Sequence, residues 1–230
     1  MADTSEVLNG LDLSDTNSKL LAIVANTRGA AEAASHDAIT YLGFPFSVSP
    51  TFQQRNTNST IEQSLVRVQE IQELCVLNNK ELIIYLSMGF GNPYGDAYSE
   101  DIVFQWANGL AALDIRIFSL ADTVGLANAA QVRSMTHSMV QNFPNCEIGV
   151  HLHSSVSNRM EKMEAALDAG CMRFDGALNG IGGCPMADDE LVGNMATEWM
   201  VDFLEEKGHV TGLDKAALAS SLQIAQDVFN

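Results

Sequence analysis

Two histidines stand two residues apart, His151 and His153, at the end of the run Glu147-Ile148-Gly149-Val150-His151-Leu152-His153. In a strand, side chains at i and i+2 leave the same face. Both imidazoles would then project together, sharing a face with Glu147 and Gly149, while Ile148, Val150 and Leu152 occupy the other. That arrangement suits a divalent cation, although two histidines with unrelated duties would have the same spacing. A second constellation is Gly180-Ile181-Gly182-Gly183-Cys184-Pro185-Met186-Ala187. Glycines let the backbone approach a ligand closely, and the Cys184 thiol could give or take a proton there. A buried, inert cysteine beside a turn is the alternative. The run Asp122-Thr123-Val124-Gly125 offers a carboxylate to orient a substrate or a water on the metal, or to cap the next helix. Asn194 offers an amide oxygen, which a hard cation accepts, or another helix cap.

The elements that must position these groups follow a strand–helix alternation. Apolar runs near 20–25, 39–46, 81–87, 114–120, 147–153 and 172–178 read as strands, and each is followed by a segment of helical spacing. A polar loop after the second strand leads to Asn58-Ser59-Thr60, with Glu62 three residues after Ser59 as a capping box for the helix beyond. Residues Glu6 to Leu11 look like a helix fragment. Six strand–helix units without a linker imply a parallel sheet covered by helices. Asn26, Ser87, Asp122, His151 and His153 all fall at or just beyond strand C-terminal ends. Polar groups arriving from successive strands at one face are how a (β/α)8 TIM barrel builds its site. The absence of a G-x-G-x-x-G turn after the first strand weakens the doubly wound, dinucleotide-binding alternative. At about 31 residues per unit, two units are missing from a full barrel. We therefore expect residues 1–230 to form one α/β catalytic domain, an incomplete TIM barrel that is N-terminally truncated and lacks strands one and two.

The bulk properties narrow the partners. The chain has 230 residues, 47% of them hydrophobic, with mean hydropathy near zero, enough for a large core. The net charge of −17 and pI of about 4.4 lack the basic footprint of a nucleic-acid binder. No apolar run approaches the roughly 18 residues of a membrane span, and the first residues do not read as a secretory signal. Cys75, Cys146, Cys171 and Cys184 are widely spread and form no C-x-x-C, so a reducing, cytoplasmic setting is expected. An incomplete barrel exposes two sheet edges, which favours association; a homodimer is the expectation.

Taken together, the runs resemble the 3-hydroxy-3-methylglutaryl-CoA lyases. GIGGCPMA (180–187) is similar to that family's GLGGCPYA signature, and GNMATE (193–198) to its GNLATE segment. HLHSS (151–155) is similar to its H-x-H-[DN]-T metal motif, LADTVGLA (120–127) to its DTIGVG loop, and SMGFGNPYGD (87–96) to its segment after the fifth strand. The resemblance runs from about Asp3 to the C-terminus. The cysteine loop is specific to the lyases, whereas H-x-H and a strand-end Asp-Thr recur across related metallolyases. The resemblance implies His151, His153 and Asn194 as ligands of Mg2+ or Mn2+, and Cys184 as proton donor or acceptor. It places Ser87, Asp122 and Thr123 along the pocket. It implies retro-Claisen cleavage of an acyl-CoA to acetyl-CoA and acetoacetate, with His151 involved in deprotonating the substrate hydroxyl. Arg28 and Arg55, scarce cations after predicted strands, could meet the CoA phosphates, or be solvated surface arginines, as that residue type more often is.

Three departures from the family pattern accompany these matches. No segment matches the family's early Arg-Asp pair or its second-strand glutamate, so the chain as given is expected to be inactive without them. The loop from Cys184 to Asn194 is one residue longer and reads MADDELVG at 186–193, which brings three acids beside the site. Ser154-Ser155 replaces Asp/Asn-Thr after the histidines, loosening their support. Competing readings are another metal-dependent aldolase or synthase of the same superfamily, and a degenerate barrel that binds without chemistry.

Overall fold

Short apolar strands can be buried on both faces only if helices cover the sheet, and the chain alternates the two accordingly. The computed structural model describes residues 3–183 and 192–229. It holds six parallel strands: β1 (Leu20–Ile23), β2 (Ile39–Ser47), β3 (Glu81–Ser87), β4 (Ile117–Asp122), β5 (Glu147–Leu152) and β6 (Arg173–Asp175). They are hydrogen-bonded in sequence order, β1 to β6. A doubly wound sheet reverses its strand order at a switch point; this sheet never does, and it curls into a half-barrel of TIM-barrel type. The helices are α1 (Thr4–Asn9), α2 (Thr27–Ala34), α3 (Pro50–Thr57), α4 (Ile61–Leu77), α5 (Glu100–Ala111), α6 (Ala129–Asn142), α7 (Arg159–Asp168), α8 (Thr197–Glu206) and α9 (Lys215–Phe229).

The core lies between the outer face of the sheet and the helices. Alternate strand residues Leu42, Phe44 and Phe46, then Leu82, Ile84 and Leu86, are buried there, as are Ile148, Val150 and Leu152. They meet the apolar stripes of α4 (Val68, Ile71, Cys75), α5 (Val103, Ala107, Leu110) and α6 (Val132, Met135, Met139). Each of the Leu, Ile, Val, Phe and Met side chains contributes about 1.5–3 kcal/mol by leaving water. The inner face is different. Ser47 stands opposite Ser87, Ala121 opposite His151, and His151 opposite Asp175. One row lower, Tyr85 is opposite Ser119, Ser119 opposite Gly149 and Gly149 opposite Arg173. Gly149 is required in that row: an added Cβ would lie 2.8 Å from Arg173 Cδ, so only glycine lets the arginine cross the strand.

The structure corrects several local expectations. The segment read as a loop before Asn58 contains α3, which starts with Pro50 in its first turn and is capped by the Ser49 side chain. Its Gln, Arg and Asn residues carry no apolar period, so the pattern was silent. The capping box of α4 is Thr60 with Gln63, one residue later than Ser59 with Glu62. Thr60 Oγ1 accepts from Gln63 N at 3.2 Å, and Gln63 Oε1 accepts from Thr60 N at 3.0 Å. Ser59 is instead buried against Thr57 and Gln53. β4 begins at Ile117 and not Asp114, because Asp114 adopts φ +64° and its carboxylate pairs with Arg116. β6 spans three residues only and leads to a 3-10 turn at Leu178–Gly180. No helix among the described residues is long and apolar enough to cross a membrane.

Candidate functional site

A cavity of about 730 Å3 opens at the C-terminal ends of the strands, within the range typical of small-molecule sites. Its apolar walls include Leu21 and Ile23 from β1, Phe52 from α3 and Met200 from α8; its polar lining includes Ser87, Thr123, His151, His153, Asp175 and Asn194. Ser87 is the last residue of β3, Thr123 follows β4, and His153 follows β5. The cavity therefore collects Ser87, Thr123, both histidines and Asn194. No lysine or arginine is among its described lining residues.

The histidine pair is pre-arranged. The two rings lie edge to face with centroids 5.2 Å apart. His153 is buried, and its Nδ1 lies 2.9 Å from the Val192 carbonyl oxygen. A carbonyl can only accept, so Nδ1 carries a proton and Nε2 is the nitrogen left to ligate. His153 also forms an isolated antiparallel bridge with Asn194. The Asn194 Nδ2 donates to Ile181 O at 3.0 Å, which orients the amide and leaves Oδ1 buried without a partner. Asn194 caps no helix. His151 Nδ1 is likewise buried without a partner, while the Tyr85 ring packs edge-on at 6.0 Å. Burial holds the His151 imidazole below its ordinary pKa and His153 adds to that effect, against the opposing charges of Asp175 and Asp122. A neutral ring is what metal ligation needs. Burial, with Asp175 adding, pushes the Tyr85 phenol well up, so it stays neutral.

These atoms fit a divalent cation. Two of the three expected donor residues have a buried polar atom that nothing among the described residues satisfies, and such atoms are rare in native folds. The acidic ligands that often complete such a site are not assembled: no group of three or more His, Cys, Asp or Glu could hold a metal among the described residues. The donor set is two imidazoles and one amide.

Further polar groups surround the site, and two of them, Lys162 and Asp175, were not expected from the sequence. Asp122, expected along the pocket, turns its carboxylate to the buried Lys162 of α7, 2.7 Å away, and accepts from Ala127 N at 3.1 Å. Lys162 sits on the apolar stripe of α7 beside Met163, Ala165 and Ala166; a charge inside such a stripe was the available signal. Thr123 Oγ1 accepts from Met88 N at 2.9 Å, locking the turn after Ser87. Asp175 accepts from the buried Ser119 hydroxyl at 2.6 Å; its place at a strand end matches that of Asp122 and could have been noticed. Asn26 caps α2 through Gly29 N. Arg28 is exposed, and the Arg55 guanidinium lies 4.7 Å over the Tyr94 ring. Cys184 lies outside the described residues.

Known proteins are similar to this chain in sequence and in fold. The family model HMGL-like matches residues 2–226. Hydroxymethylglutaryl-CoA lyase YngG of Bacillus subtilis is 31% identical over 224 residues, which cover 96% of this chain and 73% of the relative. The cytoplasmic 3-hydroxy-3-methylglutaryl-CoA lyase of Rattus norvegicus is 28% identical over 214 residues, 93% of this chain but 62% of the relative. The crystal structure of the Bacillus subtilis HMG-CoA lyase matches with a TM-score of 0.89 at 30% identity, covering 99% of this chain and 75% of that one. An HMG-CoA lyase from Acinetobacter baumannii, in complex with coenzyme A and 3-methylmalate, matches with a TM-score of 0.85 at 30% identity, covering 96% of this chain and 71% of that one.

Proposed function

The chain belongs to the HMGL-like family, and from that premise we propose that its cavity serves metal-assisted carbon–carbon cleavage of 3-hydroxy-3-methylglutaryl-CoA or a close 3-hydroxyacyl-CoA. The observation that carries the reading is the pair of atoms without a partner among the described residues, His151 Nδ1 and Asn194 Oδ1, in residues that line the same cavity as the oriented ring of His153. In this reading His151, His153 and Asn194 hold Mg2+ or Mn2+. The cation supplies Lewis-acid polarisation of the substrate's hydroxyl and charge compensation for its carboxylate. That compensation matters because no described cationic side chain lines the cavity.

Part of the rest falls to the chain's own groups; the family's Arg-Asp pair and second-strand glutamate, which no segment of this chain matches, would be needed beside them. Burial lowers the His151 pKa from its ordinary value. A neutral imidazole has one lone pair, so His151 can accept the proton of the tertiary hydroxyl only when that pair is not on the cation, which His153 and Asn194 then hold. As that oxygen becomes a carbonyl, the adjacent carbon–carbon bond breaks and its electron pair passes to the thioester fragment. The resulting enolate takes a proton at carbon, which Cys184 is proposed to give. The products are acetoacetate and acetyl-CoA. Ser87 and Thr123 face the cavity and are proposed to orient the substrate's polar oxygens, with Asp122 supporting Thr123 from behind. The acyl-CoA ligand class gains support from the coenzyme A complex of the Acinetobacter relative.

The test is Mn2+ binding by electron paramagnetic resonance on the chain, His153→Ala and Asn194→Ala, alongside acetoacetate release from the acyl-CoA. We expect each variant to bind Mn2+ at least about tenfold more weakly. Equal binding by all three proteins would remove the metal site. Cleavage of a 2-oxoacid in place of the thioester would assign the aldolase branch of the superfamily.

A further inference from the structure

We infer that Lys162, acting with Asp122, is a positioning residue for the cation site: it fixes His153 from the far side of the strand. The inference rests on the proposed reading of His151, His153 and Asn194 as ligands. Lys162 Nζ is fully buried and donates to three oxygens: Asp122 Oδ2 at 2.7 Å, His153 O at 2.8 Å and Gly125 O at 3.3 Å. An ammonium has three protons, so the group is fully used and none of it faces the cavity. Asp122 Oδ1 is taken by Ala127 N.

Position makes these bonds matter. β5 ends at Leu152, and the β5–β6 ladder ends with His151 opposite Asp175. The His153 peptide therefore lies past the regular ladder. Lys162 holds its carbonyl from α7, and the bridge to Asn194 holds it from the loop. The third bond closes a circuit. Gly125 adopts φ +72°, and a Cβ added there would lie 3.0 Å from Val192. Val192 in turn gives the carbonyl that receives His153 Nδ1–H. Lys162 thus fixes the backbone of His153 directly and its ring orientation through Gly125 and Val192. A buried ion pair is a poor source of stability, since apolar replacements of both partners often match or exceed it. Its use here lies in the geometry it imposes.

The test separates stability from positioning. Lys162→Met strands the Asp122 carboxylate and should lower the melting temperature sharply. The double variant Asp122→Asn/Lys162→Met strands no charge and should regain most of that loss, yet His153 O still lacks its donor. We expect the double variant to bind Mn2+ about tenfold or more weakly than wild type, measured by electron paramagnetic resonance with His153→Ala as the background. Ile71→Val, a core change in α4, should keep wild-type Mn2+ affinity. A folded double variant with wild-type Mn2+ affinity overturns the positioning role alone. A wild-type protein that binds Mn2+ no better than His153→Ala overturns the cation site and this role with it.

Discussion

Replacing Thr123 with valine removes one oxygen and keeps the shape of the side chain. That oxygen accepts the Met88 N–H at 2.9 Å; its other contact, to Ala121 O, is long at 3.5 Å. Met88 is fully buried with φ +59°, a left-handed conformation that costs a residue with a Cβ about 1–2 kcal/mol. The hydrogen bond therefore secures a turn the backbone would otherwise leave, directly after the cavity residue Ser87. In Thr123→Val the buried N–H has no acceptor, at a cost of about 1–3 kcal/mol. For a chain of this size each kcal/mol moves the melting temperature by about 2–4 °C, so we expect a fall of about 2–12 °C. Thr123→Ser keeps the oxygen and loses one methyl group, about 0.8 kcal/mol. Thermal melts of both variants give opposite rankings for the two explanations. If the hydrogen bond dominates, valine is the less stable. If packing dominates, serine is. A valine variant as stable as wild type, with serine below it, would refute the reasoning.

Two further outcomes follow from titratable groups. Partial burial opposes it, yet hydrogen bonds from the Ser49 hydroxyl and from Thr51 N and Oγ1 hold the Asp96 carboxyl below the usual range. A folded pKa below the unfolded value of about 3.9 means that the native state binds fewer protons, so this stabilisation is present above about pH 4 and is lost as the pH falls through the folded value. Asp96→Asn should therefore give a shallower loss of melting temperature on acidification to pH 3; an unchanged slope would contradict it. Burial pushes the Cys75 thiol up to about 11 and the Cys171 thiol up to about 12. Because the thiolate is the nucleophile, neither should react with iodoacetamide at pH 8 until urea unfolds the protein. Mass-spectrometric detection of native labelling at Cys171 would count against the burial.

Much of the frame was legible because periodicity is local. The strand–helix alternation predicted six parallel units, and the period of two put His151 and His153 on one face without any tertiary information. Strand ends marked Asn26, Ser87, Asp122 and the histidines; the structure gathers Ser87 and both histidines around one cavity with Thr123, while Asn26 caps α2 and Asp122 turns to Lys162. Where local rules offered two equal answers, only the folded backbone chose. Ser59 with Glu62 and Thr60 with Gln63 share the same spacing, and the extended backbone of Thr60 beside a buried Ser59 decides between them. Helix α3 escaped notice because its polar residues have no apolar period, although Pro50 after Ser49 is a recognisable start.

The chemistry of the site depended on contacts between segments far apart in the chain. Asp122 and Lys162 are separated by 40 residues, so no spacing rule links them, and the carboxylate expected to meet a substrate meets an ammonium instead. The His153 tautomer is set by the Val192 carbonyl, 39 residues away, and the free oxygen of Asn194 by the Ile181 carbonyl. The sequence by itself determined which residue types reach the strand ends and which face each one leaves. The tertiary structure decided which of those groups are satisfied and which stay without a partner among the described residues, because a polar group's partner is set by distance in space and not by distance along the chain.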